Sequence, residues 1–176
     1  MVRFCFKIFL FAWVLSTPVI SIEMLLVSGF PEGIIAGLTG GAVFACYFSI
    51  ALGSSHMFYL KIMRRHAGNV YSVCQSQKIM IHGSYGAVFD RCLEAIKQIN
   101  KGQILTEDRV LGRIHGKTGW TWRSFGENIE FKLIKTNEED IETIYTSAPI
   151  MGWTLADYGK NYDNIDIISK YLTGEA

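Results

Sequence analysis

Between Glu32 and Lys61 the chain runs for 28 residues, Gly33 to Leu60, without a charged side chain. Roughly 20 apolar residues, each adding about 1.5 Å of helix, already cross the hydrocarbon core of a bilayer. The segment is therefore predicted to be a transmembrane helix. A second apolar run precedes it: Ile8 to Ile22 is uncharged, Glu23 interrupts, and Met24 to Pro31 continues. Phe4, Cys5 and Phe6 lengthen that run, and Lys7 has a stem long enough to carry its ammonium to the headgroups. Before Lys61 the only charged residues are Arg3, Lys7, Glu23 and Glu32, whereas the remainder has the charge density of a water-soluble domain. The whole chain is nearly neutral, at +1. These features exclude a purely soluble globule, a disordered chain and a strongly basic nucleic-acid binder, so no nucleic-acid partner is expected.

Two transmembrane helices are the leading reading, with residues 1–67 forming a helical hairpin and stalk and residues 68–176 a soluble domain. The rival is a cleaved signal peptide, since Arg3 and Lys7 make a basic start and small residues occur between Ser16 and Ser21. The lack of an A-x-A-like site, with Pro18 and Ile20 crowding the cleavage region, weighs against it. Positive charge gathers before the first span at Arg3 and Lys7 and after the second at Lys61, Arg64 and Arg65, while the connection holds only Glu23 and Glu32. By the positive-inside rule both termini should lie in the cytoplasm, the protein being integral to the membrane, in a bacterium the inner one. Gly33, Gly37 and Gly41 recur at four-residue spacing on one helix face, a pattern that lets two helix backbones approach closely. The first span of the same chain is one candidate to fill that face; a homo-oligomer or another protein partner is the alternative. No breaker occurs from Ser55 to Ala67, so the second helix is expected to continue as a stalk that ends at Gly68-Asn69. Lys61, Arg64 and Arg65, beside His66, form a membrane-surface cluster suited to anionic headgroups, which makes membrane lipids an expected partner.

In the soluble half, a short strand at Gln77 to His82 precedes a helix capped by Ser84. Its apolar positions Tyr85, Val88, Phe89, Cys92, Leu93, Ile96 and Ile99 follow the i, i+3, i+4 pattern. The period then switches to two, predicting strands at Gln103–Thr106, Arg109–Thr118, Asn128–Lys135 and Ile141–Ala148. A last helix, Asn161–Leu172, places Tyr162, Ile165, Ile168 and Leu172 on one face. The order β-α-β-β-β-β-α predicts an α+β two-layer sandwich, the helices covering the apolar face of an antiparallel sheet. The arrangement resembles the TATA-binding-protein-like and helix-grip architectures, in which a curved sheet wraps a C-terminal helix.

Few motifs carry chemistry. The stretch Gly112 to Thr118 has three residues between its glycines where a phosphate-binding loop needs four, and no helix pattern follows it. His56, His66, His82 and His115 are scattered one per element, and neither CxxC nor HExxH occurs, so no metal and no cofactor is expected. Cys5, Cys46, Cys74 and Cys92 read as small buried hydrophobes in a reducing compartment. In the strand Arg109–Thr118, alternation puts Arg109, Leu111, Arg113, His115 and Lys117 on one face. With Trp120 and Trp122 close by, that row can receive an anionic headgroup or an acidic partner. Glu127, Glu130 and Glu142, on neighbouring strands, can instead neutralise it as an ordinary solvent-facing surface.

The segment from Thr146 to Asn161 closes a strand at Ser147, crosses a loop at Gly152 and leads through Asp157-Tyr158-Gly159-Lys160-Asn161 into the last helix. It is similar to the closing signature of a widespread uncharacterised family of bacterial and plastid proteins, in which a strand ending in Arg-Ser is followed by a glycine loop, Asp-x-Gly-x-Asn and a helix. Ser147, Gly152, Asp157, Gly159 and Asn161 carry the match; the family's arginines are absent, Tyr145-Thr146 and Pro149 standing in their places. The residues also have a local role, Gly159 allowing a turn and Asp157 or Asn161 capping the helix.

Taken together, these features predict a non-enzymatic integral membrane protein that presents an α+β domain as an accessory or structural subunit of a larger assembly. The alternative is a membrane-anchored binder of a lipid or other anionic or apolar ligand, with Arg109, Arg113, His115, Lys117, Trp120 and Trp122 at the site. An enzyme using His115 with Asp157 has no spacing argument behind it, and no catalytic residues are assigned.

Overall fold

A computed structural model describes residues 2–62 and 72–175 of the chain, in two compact units, Met1–His66 and Ala67–Ala176. In the first unit, helices α1 (Val2–Ser28) and α2 (Glu32–Ile62) fold back on each other through a turn at Gly29, whose φ of 73° suits glycine. Both helices are long and apolar enough to cross a membrane. Their packing is antiparallel: Gly33 faces Leu25, Gly37 faces Ser21, Gly41 faces Thr17 and Gly53 faces Cys5. A Cβ at Gly33 would stand 2.7 Å from the Leu25 Cα, and one at Gly37 only 2.6 Å from the Ser21 Cα. Any larger residue would push the two backbones apart.

The close approach lets the Ser16 hydroxyl donate to the Gly41 carbonyl at 3.4 Å and the Trp13 indole N–H donate to the Leu38 carbonyl at 3.3 Å. The hydroxyls of Ser49 and Ser55 donate back to the Ala45 and Ala51 carbonyls, at 2.6 and 2.8 Å, and so stay paired on an apolar helix. The glycine face is thus filled by α1 of the same chain, leaving no room there for a second copy while α1 stays in place. Outward, Leu15, Val19, Val27, Ile35, Val43 and Ile50 are exposed, an apolar surface far more continuous than a water-facing helical pair carries. Lys61 falls in the last turn of α2; Arg64, Arg65 and the expected continuation of the helix to Ala67 lie outside the described residues.

The second unit holds β1 (Gln75–His82), α3 (Tyr85–Gln98), β2 (Gln103–Asp108), β3 (Arg113–Lys117), β4 (Glu127–Lys135), β5 (Asp140–Pro149) and α4 (Lys160–Thr173). The five strands pair antiparallel in the order β1-β5-β4-β3-β2. Ser84 starts α3 as expected, its hydroxyl accepting from the Ala87 amide at 3.4 Å. Helix α3 packs on β2, β3 and β4, helix α4 on β1 and β5, and the two helices adjoin. The result is the expected α+β two-layer sandwich in a helix-grip arrangement. Between the layers lie Phe89, Ile96, Ile129, Phe131, Tyr145 and Ile168, all buried, with the Phe131 and Tyr145 rings stacked at 5.7 Å.

Cys92 is fully buried in this core, and burial pushes its thiol pKa up to about 12. Because only the thiolate is alkylated, Cys92 should resist iodoacetamide at pH 8 until the chain is unfolded, whereas the exposed Cys74 should react in the folded protein. Mass spectrometry of the labelled peptides checks this. The same shift sets a pH dependence: the unfolded thiol ionises near 9 while the folded one stays neutral, so Cys92 subtracts stability as pH rises above about 9.

One strand departs from expectation. β3 begins at Arg113 rather than Arg109, because the Asp108 carboxylate accepts from the Val110 and Leu111 amides, at 2.9 and 2.8 Å, and turns the chain there. Gly112 completes the turn at φ 64°, where a Cβ would run into the Leu133 carbonyl. Residues 109–112 are consequently a hairpin turn, and β2 extends to Asp108.

Register fixes which connections share an end of the sheet. Gln103 pairs with Lys117, Lys117 with Asn128, Glu127 with Pro149 and Ser147 with Gln75. The start of β1, the α3–β2 turn, the loop 118–126 and the loop 150–159 therefore lie together. The turns 109–112 and 136–139 lie at the opposite end.

Candidate functional site

Strand alternation sends Ile114, Ile129, Phe131, Leu133, Ile141 and Tyr145 towards the helices, and among the described residues of this unit no helix packs on the other face of the sheet. A groove of about 800 Å³ crosses that outer face, lined by Thr106 and Asp108 of β2, Arg113 and His115 of β3, Glu130 and Lys132 of β4, and Ile144 and Thr146 of β5. Cross-strand neighbours define its charge pattern: Arg113 stands between Asp108 and Lys132, and His115 between Thr106 and Glu130. Arg113 and Lys132 are like charges directly opposite each other, an arrangement that costs stability unless a counter-charge is supplied. Asp108 is engaged by two backbone amides, and among the described residues neither Arg113 nor Lys132 makes an ion pair. Further along the face, Lys78 and Glu142 pair at 2.7 Å.

The sequence-derived site is only partly assembled here. Arg113, His115 and Lys117 share the outer face, Arg113 and His115 within the groove. Arg109 leaves the row: its guanidinium lies over the Phe89 ring at 4.7 Å and donates to Asp90 at 2.6 Å. Trp120 and Trp122 sit in the loop 118–126 at the end of the sheet rather than in the groove, the Trp122 ring 6.2 Å from Tyr158. Of the three expected neutralising carboxylates, Glu130 and Glu142 are on the outer face, but Glu127 points inward and is fully buried. His115 and Asp157 lie on opposite sides of the sheet, so they cannot act as a pair. Among the described residues no cluster of three or more His, Cys, Asp or Glu side chains could hold a metal.

A second constellation occupies the inner face beneath the start of α4. Gly159, at φ 73°, is the residue before the first turn and has no side chain to cap it. Asp157 caps the helix in its place. One carboxylate oxygen accepts from the Gly159 amide at 3.1 Å, the other from the Asn161 amide at 2.8 Å and the Asn161 side-chain amide at 2.9 Å. Ser147 donates to the Asn161 side-chain carbonyl at 2.6 Å and accepts from Asn164 at 3.1 Å. Asn164 reaches Glu127 at 3.5 Å, and the hydroxyls of Thr118 and Ser124 donate to the two Glu127 oxygens. Lys160 donates to the Asn164 carbonyl at 3.0 Å; its burial holds its pKa below the ordinary lysine value, against the pull of the Glu127 charge. The polar groups satisfy one another, which is what a buried network must do to persist.

Ser147, Asp157, Gly159 and Asn161 are four of the five residues that carry the resemblance noted above, and they meet in this network. The fifth, Gly152, is exposed, with open space around its Cα. The sequence marked Asp157 and Asn161 as capping residues but not their connection to Thr118, Ser124, Glu127 and Asn164. The available signal was the phase of β4: Glu127 shares the inward parity of Ile129, Phe131 and Leu133.

No protein-family model and no curated protein matches the sequence. Among solved structures, the chain is similar to the Zhui aromatase/cyclase from a Streptomyces species, at TM-score 0.41 and 10% identity over 58% of this chain and 92% of that one. It is also similar to Ara h 8.0201, at TM-score 0.37 and 11% identity over 57% of this chain and 97% of that one. A third similarity is to the di-domain ARO/CYC StfQ from the steffimycin biosynthetic pathway, at TM-score 0.30 and 12% identity over 86% of this chain and 60% of that one.

Proposed function

We propose that the chain is a non-enzymatic membrane-anchored module, its hairpin held in the bilayer with both termini in the cytoplasm, and that the outer face of its sheet docks a partner protein of a larger assembly. The observation that carries this reading is the groove on the outer face, where Arg113 and Lys132 stand side by side, with Asp108 across from Arg113 and Glu130 two residues before Lys132 on the same strand. Such a pattern is complemented by an acidic side chain flanked by basic ones, and rim charges of this kind decide partner choice and on-rate. The glycine face is taken within the chain, so a partner in the membrane meets the hairpin on its lipid-facing side. On this reading the resemblance of the closing segment reflects a shared way of fastening the last helix to the sheet rather than a shared binding site.

Solubilisation of native membranes in mild detergent tests the proposal. The native chain should co-purify with a discrete partner, and Arg113→Glu combined with Lys132→Glu should lower its recovery at least tenfold without loss of the module itself. Recovery of monomer alone from gentle extraction contradicts the reading.

A second reading rests on the same like-charged pair: a carboxylate or phosphate, free or on a lipid, seated between Arg113 and Lys132. It predicts that native mass spectrometry of the purified chain finds an anion released by the double charge reversal.

A further inference from the structure

The two ends of the domain differ in a way that neither the groove nor the buried network uses. At the end where β1 begins, the loops 118–126 and 150–159 expose large apolar side chains: Trp120 is 62% exposed, Trp122 71%, Phe125 63%, Ile150 45% and Trp153 65%. The loops adjoin, the Ile150 amide donating to the Gly126 carbonyl at 3.0 Å. Single exposed hydrophobes need no explanation, but a cluster dominated by tryptophan does. Tryptophan combines a large apolar body with an N–H donor and is the residue most at home at the boundary between hydrocarbon and water.

Charge sorts in the same direction. The carboxylates near these loops are withdrawn: Glu127 and Asp157 are buried in the network, and Asp163 is ion-paired with Arg123 at 2.5 Å. The exposed Lys101 and half-buried Lys117 lie at this end, the Lys101 ammonium on the Trp120 carbonyl at 2.9 Å. At the opposite end the turns bring Glu107, Asp108, Glu138 and Glu139 to the surface beside Arg109 and Lys135. A negatively charged bilayer would favour the first end over the second. The first strand of the unit, β1, also starts at this end, at Gln75.

We propose that the tryptophan-bearing end of the domain is a membrane-contact surface, seating Trp120, Trp122 and Trp153 among the phospholipid headgroups with Lys101 and Lys117 toward anionic lipid. Seated this way, the domain keeps the turns bearing Glu107, Asp108, Glu138 and Glu139 off the bilayer. The inference rests on the hairpin being in the membrane.

The test uses the full chain, carrying Trp13→Phe so that emission comes only from Trp120, Trp122 and Trp153, reconstituted in phosphatidylcholine vesicles with a fraction of anionic phosphatidylglycerol. Replacing part of the phosphatidylcholine by its analogue brominated high on the acyl chains should quench the emission by more than half, and the spectrum should lie to the blue of exposed tryptophan. If Trp13→Phe impairs insertion, the difference between the native chain and Trp120→Ser/Trp122→Ser/Trp153→Ser gives the same readout. Solvent-like, unquenched emission from a chain that floats with the vesicles after an alkaline wash overturns the inference while leaving the anchor intact. A chain that fails to float overturns the anchor and the inference together. Emission shielded in native membranes but unquenched in pure lipid also overturns it, assigning the surface to a protein.

Discussion

Gly37→Leu is expected to separate the two helices of the hairpin. Even the first carbon of a side chain at this position meets the Ser21 Cα at 2.6 Å, and the obstacle is backbone, which cannot rotate away. Overpacking a well-fitted core costs about 1–3 kcal/mol where side chains can shift, and a clash with backbone lies at or above the top of that range. Association of helices in lipid depends on this close contact, because no hydrophobic drive replaces it. The protein supplies its own reporter: a Cβ at position 53 would stand 3.3 Å from the Cys5 sulfur, close enough for a disulfide once Gly53→Cys is introduced. Oxidation should cross-link Cys5 to the introduced thiol efficiently in the Gly37 background and at least tenfold less in Gly37→Leu. Gly40→Ala is the control, since its added carbon meets only the Ile20 side chain, at 3.3 Å. Equal cross-linking in all three would show that the glycine face does not set the packing.

The largest effect in the soluble unit should come from Asp157→Ala. Removing this carboxylate takes the acceptor from the Asn161 amide and the Asn161 side-chain N–H, and one acceptor from the Gly159 amide, in a site closed to water. Each buried donor left without an acceptor costs about 1–3 kcal/mol, and the loss of the helix cap is contained in the same sum. A total on the order of 3–5 kcal/mol follows, allowing for non-additivity among coupled groups, against a net stability of roughly 5–15 kcal/mol for a domain. Denaturant unfolding of the full chain in detergent, followed by near-ultraviolet circular dichroism, should show a large drop in midpoint. Asp157→Asn, which keeps one acceptor oxygen, should fall between the alanine variant and the native chain. A loss below about 1 kcal/mol for Asp157→Ala would mean that α4 is not held through this network.

The periodic parts of this fold were legible in the residues. The uncharged run Gly33–Leu60 and the apolar run before it appear as α2 and α1, and the 3.6-residue pattern from Tyr85 to Ile99 marks the buried face of α3. Alternation placed Arg113, His115 and Lys117 on one face of β3. What escaped was decided by single polar contacts. Arg109 lies in phase with Arg113, yet Asp108 captures two amides and bends the chain before the strand begins. Glu127 reads as a surface carboxylate by residue type, and only the company of Thr118, Ser124 and Asn164 makes its burial tolerable. Those partners come from separate parts of the chain, and no local window contains them all. The place of the tryptophans, expected beside the cation row, was hidden for a related reason: where a loop turns at the end of a sheet depends on the register of strands that are distant in sequence.

That same register gives the domain its directionality, with an aromatic, acid-poor end where β1 starts and a charge-rich end opposite. Between them, the outer sheet face is the part available to a partner. Site-specific photo-cross-linking in native membranes addresses that face most directly, with a photoreactive residue at His115 and, as the comparison, at Lys170 on the exposed side of α4. One discrete adduct is expected from His115, lost on Arg113→Glu/Lys132→Glu, and none from Lys170. Absence of an adduct at His115, or an equal one from Lys170 that survives the charge reversal, would contradict it.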